Sequence, residues 1–123
     1  MNKGTVLLID DEPALRELLT GYLTRLGYDV EACASGAEAF ARFEQHPSGY
    51  PLVITDAQLP GLRGEDLVPR MAELRRDLRV VVMSGVPVAP LLLPPGFLGR
   101  VQFLQKPFRP VELAQAIESL LGA

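Results

Sequence analysis

Short apolar runs alternate along this chain with apolar positions spaced for helices. Thr5 to Ile9 is a continuous β-favouring run, the mark of a strand buried on both faces. Behind it Leu15, Leu18, Leu19, Tyr22, Leu23 and Leu26 recur at helical spacing, between a Pro13 suited to the first helical position and a Gly27 that ends the helix. Asp29 to Ala34 alternates instead, with Val30, Ala32 and Ala34 on one face and Asp29, Glu31 and Cys33 on the other, which predicts a more exposed edge strand. Ser35-Gly36-Ala37-Glu38 fits a capping box opening a second helix with Phe40 and Phe43 inward, and His46-Pro47-Ser48-Gly49 ends it. Leu52 to Asp56 reads as a short buried strand that ends by pushing a carboxylate out of the sheet, Val80 to Met83 as an all-apolar strand, and Val101 to Leu104 as a strand made less uniform by Gln102. Gly64 to Leu74 predicts a third helix with Leu67, Val68, Met71 and Leu74 inward, starting late or kinked at Pro69. Pro110 starts a final helix with Leu113, Ile117, Leu120 and Leu121 on one stripe.

This alternation predicts an α/β domain over residues 1–123, a doubly wound parallel sheet with helices on both faces. Right-handed crossovers put the C-terminal ends of all strands on one edge. Asp10, Asp11, Asp56, Ser84 and Lys106, scattered in sequence, should therefore converge.

Bulk properties narrow the class. The 123 residues suit one domain with its own core, and 48% hydrophobic with 22% charged residues is ordinary for a globular protein. A net charge of −3 argues against direct nucleic-acid binding or an anionic membrane surface. A lone cysteine, Cys33, excludes an internal disulfide framework and suits a reducing cytoplasm, where a quiet strand thiol is expected. The apolar start is too short for a signal peptide, and Val86 to Leu98 carries prolines at 87, 90, 94 and 95, so it cannot cross a bilayer as a regular helix.

The converging residues imply a chemistry. Three carboxylates forced together repel one another unless a cation sits among them. Hard oxygen ligands suit Mg²⁺, or Mn²⁺ in its place, better than zinc, which prefers Cys and His. A lysine and a hydroxyl opposite supply donors for an anion. Together these groups describe phosphoryl transfer by charge neutralisation and positioning, with an aspartate able to act as nucleophile.

Leu7-Leu8-Ile9-Asp10-Asp11-Glu12-Pro13, Thr55-Asp56 followed by Leu59-Pro60 and Gly64, Met83-Ser84-Gly85 and Phe103-Leu104-Gln105-Lys106-Pro107-Phe108 resemble, in order and spacing, the response-regulator receiver domain. The resemblance implies a flavodoxin-like fold, a five-stranded sheet in the order 2-1-3-4-5. It implies that Asp56 accepts a phosphoryl group from the phosphohistidine of a sensor histidine kinase or phosphotransfer protein. Asp11, Asp56 and the backbone carbonyl of Gln58 would ligate Mg²⁺, with Asp10 helping through water. Lys106 would pair with the phosphoryl group, and the Lys106–Pro107 bond is expected to be cis. Ser84 would be the switch hydroxyl and Phe103 the aromatic that turns inward behind it. Self-phosphorylation from small phosphodonors and auto-dephosphorylation are expected, and the output is a change in binding to an unknown downstream protein. The competing reading is a degenerate receiver that acts only as an interaction module; intact Asp11, Asp56 and Lys106 count against it. A haloacid dehalogenase would need an Asp-x-Asp pair on its first strand, and a flavodoxin a phosphate-binding loop after Ile9, where acids stand.

One stretch departs from the family pattern. Prolines at 87, 90, 94 and 95 leave room for about one turn of the family's fourth helix, since each interior proline costs about 3 kcal/mol. An extended loop packing its leucines on the sheet competes here with an altered output face that offers Leu91, Leu92 and Leu93 to a partner. The segment and the Phe103–Phe108 stretch resemble receivers at the C-terminus of hybrid sensor kinases. Gln58 is expected to face solvent, His46 to be a loop residue, and Arg70, Arg75, Arg76 and Arg79 to form a solvated basic run.

Overall fold

The computed structural model describes residues 2–86 and 100–122. Strands β1 (Thr5–Ile9), β2 (Asp29–Cys33), β3 (Leu52–Asp56), β4 (Val80–Ser84) and β5 (Val101–Gln105) alternate with helices α1 (Pro13–Arg25), α2 (Gly36–Gln45) and α3 (Gly64–Leu74), and α4 (Pro110–Leu121) follows β5. A short 3-10 turn, Pro47–Gly49, leads into β3. All strands pair in parallel, in the order β2-β1-β3-β4-β5. The chain order reverses between β1 and β3, the switch point where sheets of this kind open a crevice at their C-terminal edge. Ile9 pairs with Thr55, so Asp10 and Asp56 leave their strands side by side.

The pleat sorts the apolar runs into two cores. Leu7, Ile9, Val53, Val80 and Val82 pack with Phe43, Leu67, Val68 and Met71 under α2 and α3. Their neighbours Val6, Leu8, Leu52, Ile54, Val81 and Met83 pack with Leu19, Leu23, Leu113 and Ile117 under α1 and α4. Every residue of β3 and β4 is buried, whereas the edge strands β2 and β5 mix buried and exposed positions. On β2 the deeply buried residue is Cys33, while Ala32 and Ala34 are exposed. Burial pushes the Cys33 thiol up to about 11, which leaves it protonated and unreactive. Among the described residues no helix is long and apolar enough to cross a membrane.

Three expectations are corrected. Leu18 is 64% exposed, because at about 100° per residue it falls roughly 120° from the centre of the stripe that Leu19 and Leu23 define. Leu74 is also exposed, and Ala72 takes the inner position. The axis of that stripe runs on to Arg75, which turns inward and donates to the carbonyls of Pro47, at 3.2 Å, and Tyr50, besides pairing with Asp77 at 3.0 Å. Arg75 is therefore a tie between the end of α3 and the entry to β3, not part of a solvated run. Pro69 stands inside α3, which starts at Gly64 without delay. Ser35 caps α2 by accepting from the Glu38 N–H at 3.2 Å, while the Glu38 carboxylate turns to Arg42 at 3.1 Å. The proline-rich segment, with its expected loss of a helix and its Leu91, Leu92 and Leu93, lies outside the described residues.

Phe43 is fully buried and stacks on Tyr50 with ring centroids 6.1 Å apart. Phe43→Ala should cost about 3–5 kcal/mol in urea unfolding, whereas Leu18→Ala should stay within about 0.5 kcal/mol of the parent.

Candidate functional site

Asp10 directly follows β1 and is fully buried. Its N–H continues the ladder to the Cys33 carbonyl at 3.1 Å, and its own carbonyl accepts from Arg16 at 2.8 Å. Oδ1 of Asp10 accepts the Glu12 N–H at 2.8 Å, which fixes the turn into α1. Asp56 ends β3 and is 6% exposed, with Oδ1 accepting the Gln58 N–H at 3.0 Å. Asp11 is exposed beside them. Ligand oxygens from Asp10, Asp11 and Asp56 all lie within 4.8 Å of one another.

Lys106 closes the cluster from the loop after β5. Its Nζ donates to Asp56 Oδ2 at 2.9 Å and to Asp10 Oδ2 at 3.3 Å. Its backbone N–H donates to the Ser84 carbonyl at 2.8 Å, which carries the loop over the tip of β4. The Lys106–Pro107 peptide is cis. Burial disfavours charge on the ammonium, but hydrogen bonds and charge from Asp56 and Asp10 outweigh it, so Lys106 titrates above the ordinary lysine range. Gly64 lets α3 start against this edge. A Cβ there would stand 2.2 Å from the Asp56 carbonyl oxygen, so a larger residue would displace the strand end.

The donor set fits a hard divalent cation. Every candidate ligand is a carboxylate, one of them open to solvent, and three negative charges face one ammonium. Of the residues expected at the site, Asp10, Asp11, Asp56 and Lys106 come together. Ser84, 4% exposed, directs its hydroxyl to Gln58 Oε1 at 2.9 Å and to Val86 rather than to the carboxylates. Phe103 lies on β5 with 48% of its surface exposed. Gln58 is exposed as expected, but its amide contact with Ser84 was not foreseen; periodicity says nothing of where a loop side chain points. A groove of about 510 Å³ was also unforeseen. Leu15, Leu18 and Tyr22 of α1 face Pro107 and Phe108 across it, and Lys106 lines both the groove and the acid cluster.

Because Lys106 is raised in the folded state, its pairing contributes stability that is fully present below the ordinary lysine value of about 10.4 and is lost as pH rises through the folded value. Lys106→Met should therefore be less stable than the parent by roughly 1–3 kcal/mol at pH 8. The difference should shrink only above about pH 10. Urea midpoints of both proteins across this range test it, and a gap that closes at lower pH would contradict the assignment.

The family model described as the response regulator receiver domain matches residues 6–118. The transcriptional regulator NtrC of Azospirillum brasilense is 35% identical over 123 residues, covering 100% of this chain and 25% of that protein. This chain thus spans about a quarter of that relative's length. A response regulator receiver protein from Sinorhizobium medicae superposes with TM-score 0.85 at 28% identity, over 98% of this chain and 95% of that one. The response regulator TrrA of Thermotoga maritima, solved in complex with Mg²⁺ and a beryllium fluoride, gives TM-score 0.80 at 25% identity over 95% and 98%. With the family model matched over nearly the whole chain, the strand order found here and the acid cluster at the sheet edge, this chain belongs to the response regulator receiver domain family.

Proposed function

We propose that this chain is a phosphoacceptor of two-component signalling, with Asp56 as the acceptor. The observation that carries the reading is the juxtaposition of Asp56 with Asp10, Asp11 and the Lys106 ammonium at the open edge of the sheet. A carboxylate oxygen of Asp56 attacks the phosphorus of a phosphohistidine. The P–N bond breaks as the P–O bond forms, and the departing imidazole nitrogen takes a proton from solvent. Asp11, Asp56 and the carbonyl of Gln58 would hold Mg²⁺, with Asp10 assisting. The ion, when bound, neutralises charge on the transferring oxygens. Lys106 already spans Asp10 and Asp56, so it needs only to shift its bonds to meet a phosphoryl oxygen. Ser84 supplies a further donor from β4, and Phe103 fills the space it leaves. The aspartyl phosphate carries about two negative charges where the carboxylate carried one, and this change acts on a two-state element read by a downstream protein.

The donor is a sensor kinase or phosphotransfer protein of the cytoplasm. Lys106 borders both the acid cluster and the apolar groove along α1, so a donor helix seated in that groove would bring its phosphohistidine toward Asp56. Leu18, exposed on the groove wall, is a natural contact.

Incubation with acetyl phosphate and Mg²⁺ should give one phosphoryl adduct by intact mass, absent in Asp56→Asn and in a magnesium-free sample. No adduct together with no detectable Mg²⁺ binding would sink the reading in favour of an interaction module alone. Leu18→Arg should slow transfer from a phosphohistidine donor by about tenfold while leaving the acetyl phosphate reaction unchanged. Equal slowing of both would remove the groove from the donor interface.

A further inference from the structure

We propose that the side chain of Gln58 is a positioning residue that holds the Ser84 hydroxyl away from the phosphoryl pocket in the resting state. The inference rests on the phosphoacceptor reading. Ser84 is buried at the tip of β4, so its hydroxyl requires partners within the protein. Those partners are Gln58 Oε1 at 2.9 Å, the Val86 carbonyl at 2.5 Å and the Val86 N–H at 3.2 Å. A hydroxyl has one proton and cannot give it to both oxygens at once. Gln58 resolves the conflict because its amide has two faces. When the proton goes to Gln58, Oε1 accepts it; when it goes to Val86, the amide turned over offers its NH₂ to the serine oxygen. Neither carboxylate of Asp10 or Asp56 appears among these partners.

A phosphoryl group on Asp56 can recruit Ser84 only if the hydroxyl leaves this arrangement. The Ser84–Gln58 bond is therefore present in the resting form and absent from the switched form, and a contact made in one state alone biases the equilibrium toward it. The latch and the acceptor belong to one turn, since the Gln58 N–H is bound to Asp56 Oδ1 at 3.0 Å. Gln58 thus stands across the crevice from Ser84 by the same turn that orients Asp56. Deleting its side chain should ease the switch by the net worth of one hydrogen bond, a roughly two- to tenfold gain in affinity for a phosphoryl mimic.

Beryllium fluoride with Mg²⁺, titrated calorimetrically onto the full chain, reads this equilibrium without hydrolysis. Gln58→Ala and the apolar near-isostere Gln58→Met should both bind the mimic roughly two- to tenfold more tightly than the parent. In a Ser84→Ala background the same Gln58 substitutions should have no effect, because the bond they remove is already gone. Unchanged or weaker affinity in Gln58→Ala would overturn the inference. A gain that persists without the serine hydroxyl would overturn it too, by assigning the effect to direct contact with the ligand. A parent chain that binds no mimic removes the phosphoacceptor reading and this inference with it. Binding that ignores Gln58 removes the inference alone.

Discussion

The Lys106 ammonium bridging Asp10 and Asp56 is the interaction on which this edge of the sheet depends. Two buried carboxylates at neighbouring strand ends would repel each other in a region that water scarcely reaches, and a single cation serves both at 3.3 and 2.9 Å. The topology makes the bridge long-range. Asp10 and Asp56 come from the adjacent strands β1 and β3, whereas Lys106 follows β5 at the far edge and must cross the tip of β4 to reach them. That crossing is tied by the Lys106 N–H to the Ser84 carbonyl.

Charge counting then explains why the site suits two ligands rather than one. Three carboxylates and one ammonium leave a formal excess of two negative charges, which a divalent cation cancels. Phosphorylation turns the Asp56 carboxylate into an acyl phosphate of about two negative charges, so in the proposed reaction the cation makes room electrostatically for the added charge. Lys106 serves both conditions. It neutralises carboxylates in the resting state and is already within reach of a new oxygen on Asp56.

The sequence made the skeleton of this arrangement legible because periodicity reports burial directly. The runs Thr5–Ile9, Leu52–Asp56 and Val80–Ser84 are the central strands, and a parallel sheet with one-handed crossovers leaves Asp10, Asp56 and Ser84 at one edge. Periodicity was a poorer guide to phase. Leu18 and Leu74 belong to apolar repeats yet are exposed, and Arg75 occupies an inner position because three backbone and side-chain oxygens satisfy it. Gln58 was harder still. Its backbone role depends on the turn after β3, and its side-chain partner comes from β4, so no local pattern joins them.

The two unforeseen features, the groove and the Gln58–Ser84 contact, lie on different flanks of Asp56. On the α1 flank, Lys106 joins the acid cluster to an apolar groove. On the β4 flank, Ser84 is bound to Gln58 and Val86, next to the segment that follows β4. The carboxylate of Asp56 touches both flanks, through Lys106 on one oxygen and the Gln58 turn on the other. In the proposed reaction, a phosphoryl group on Asp56 would therefore displace bonds on both flanks at once.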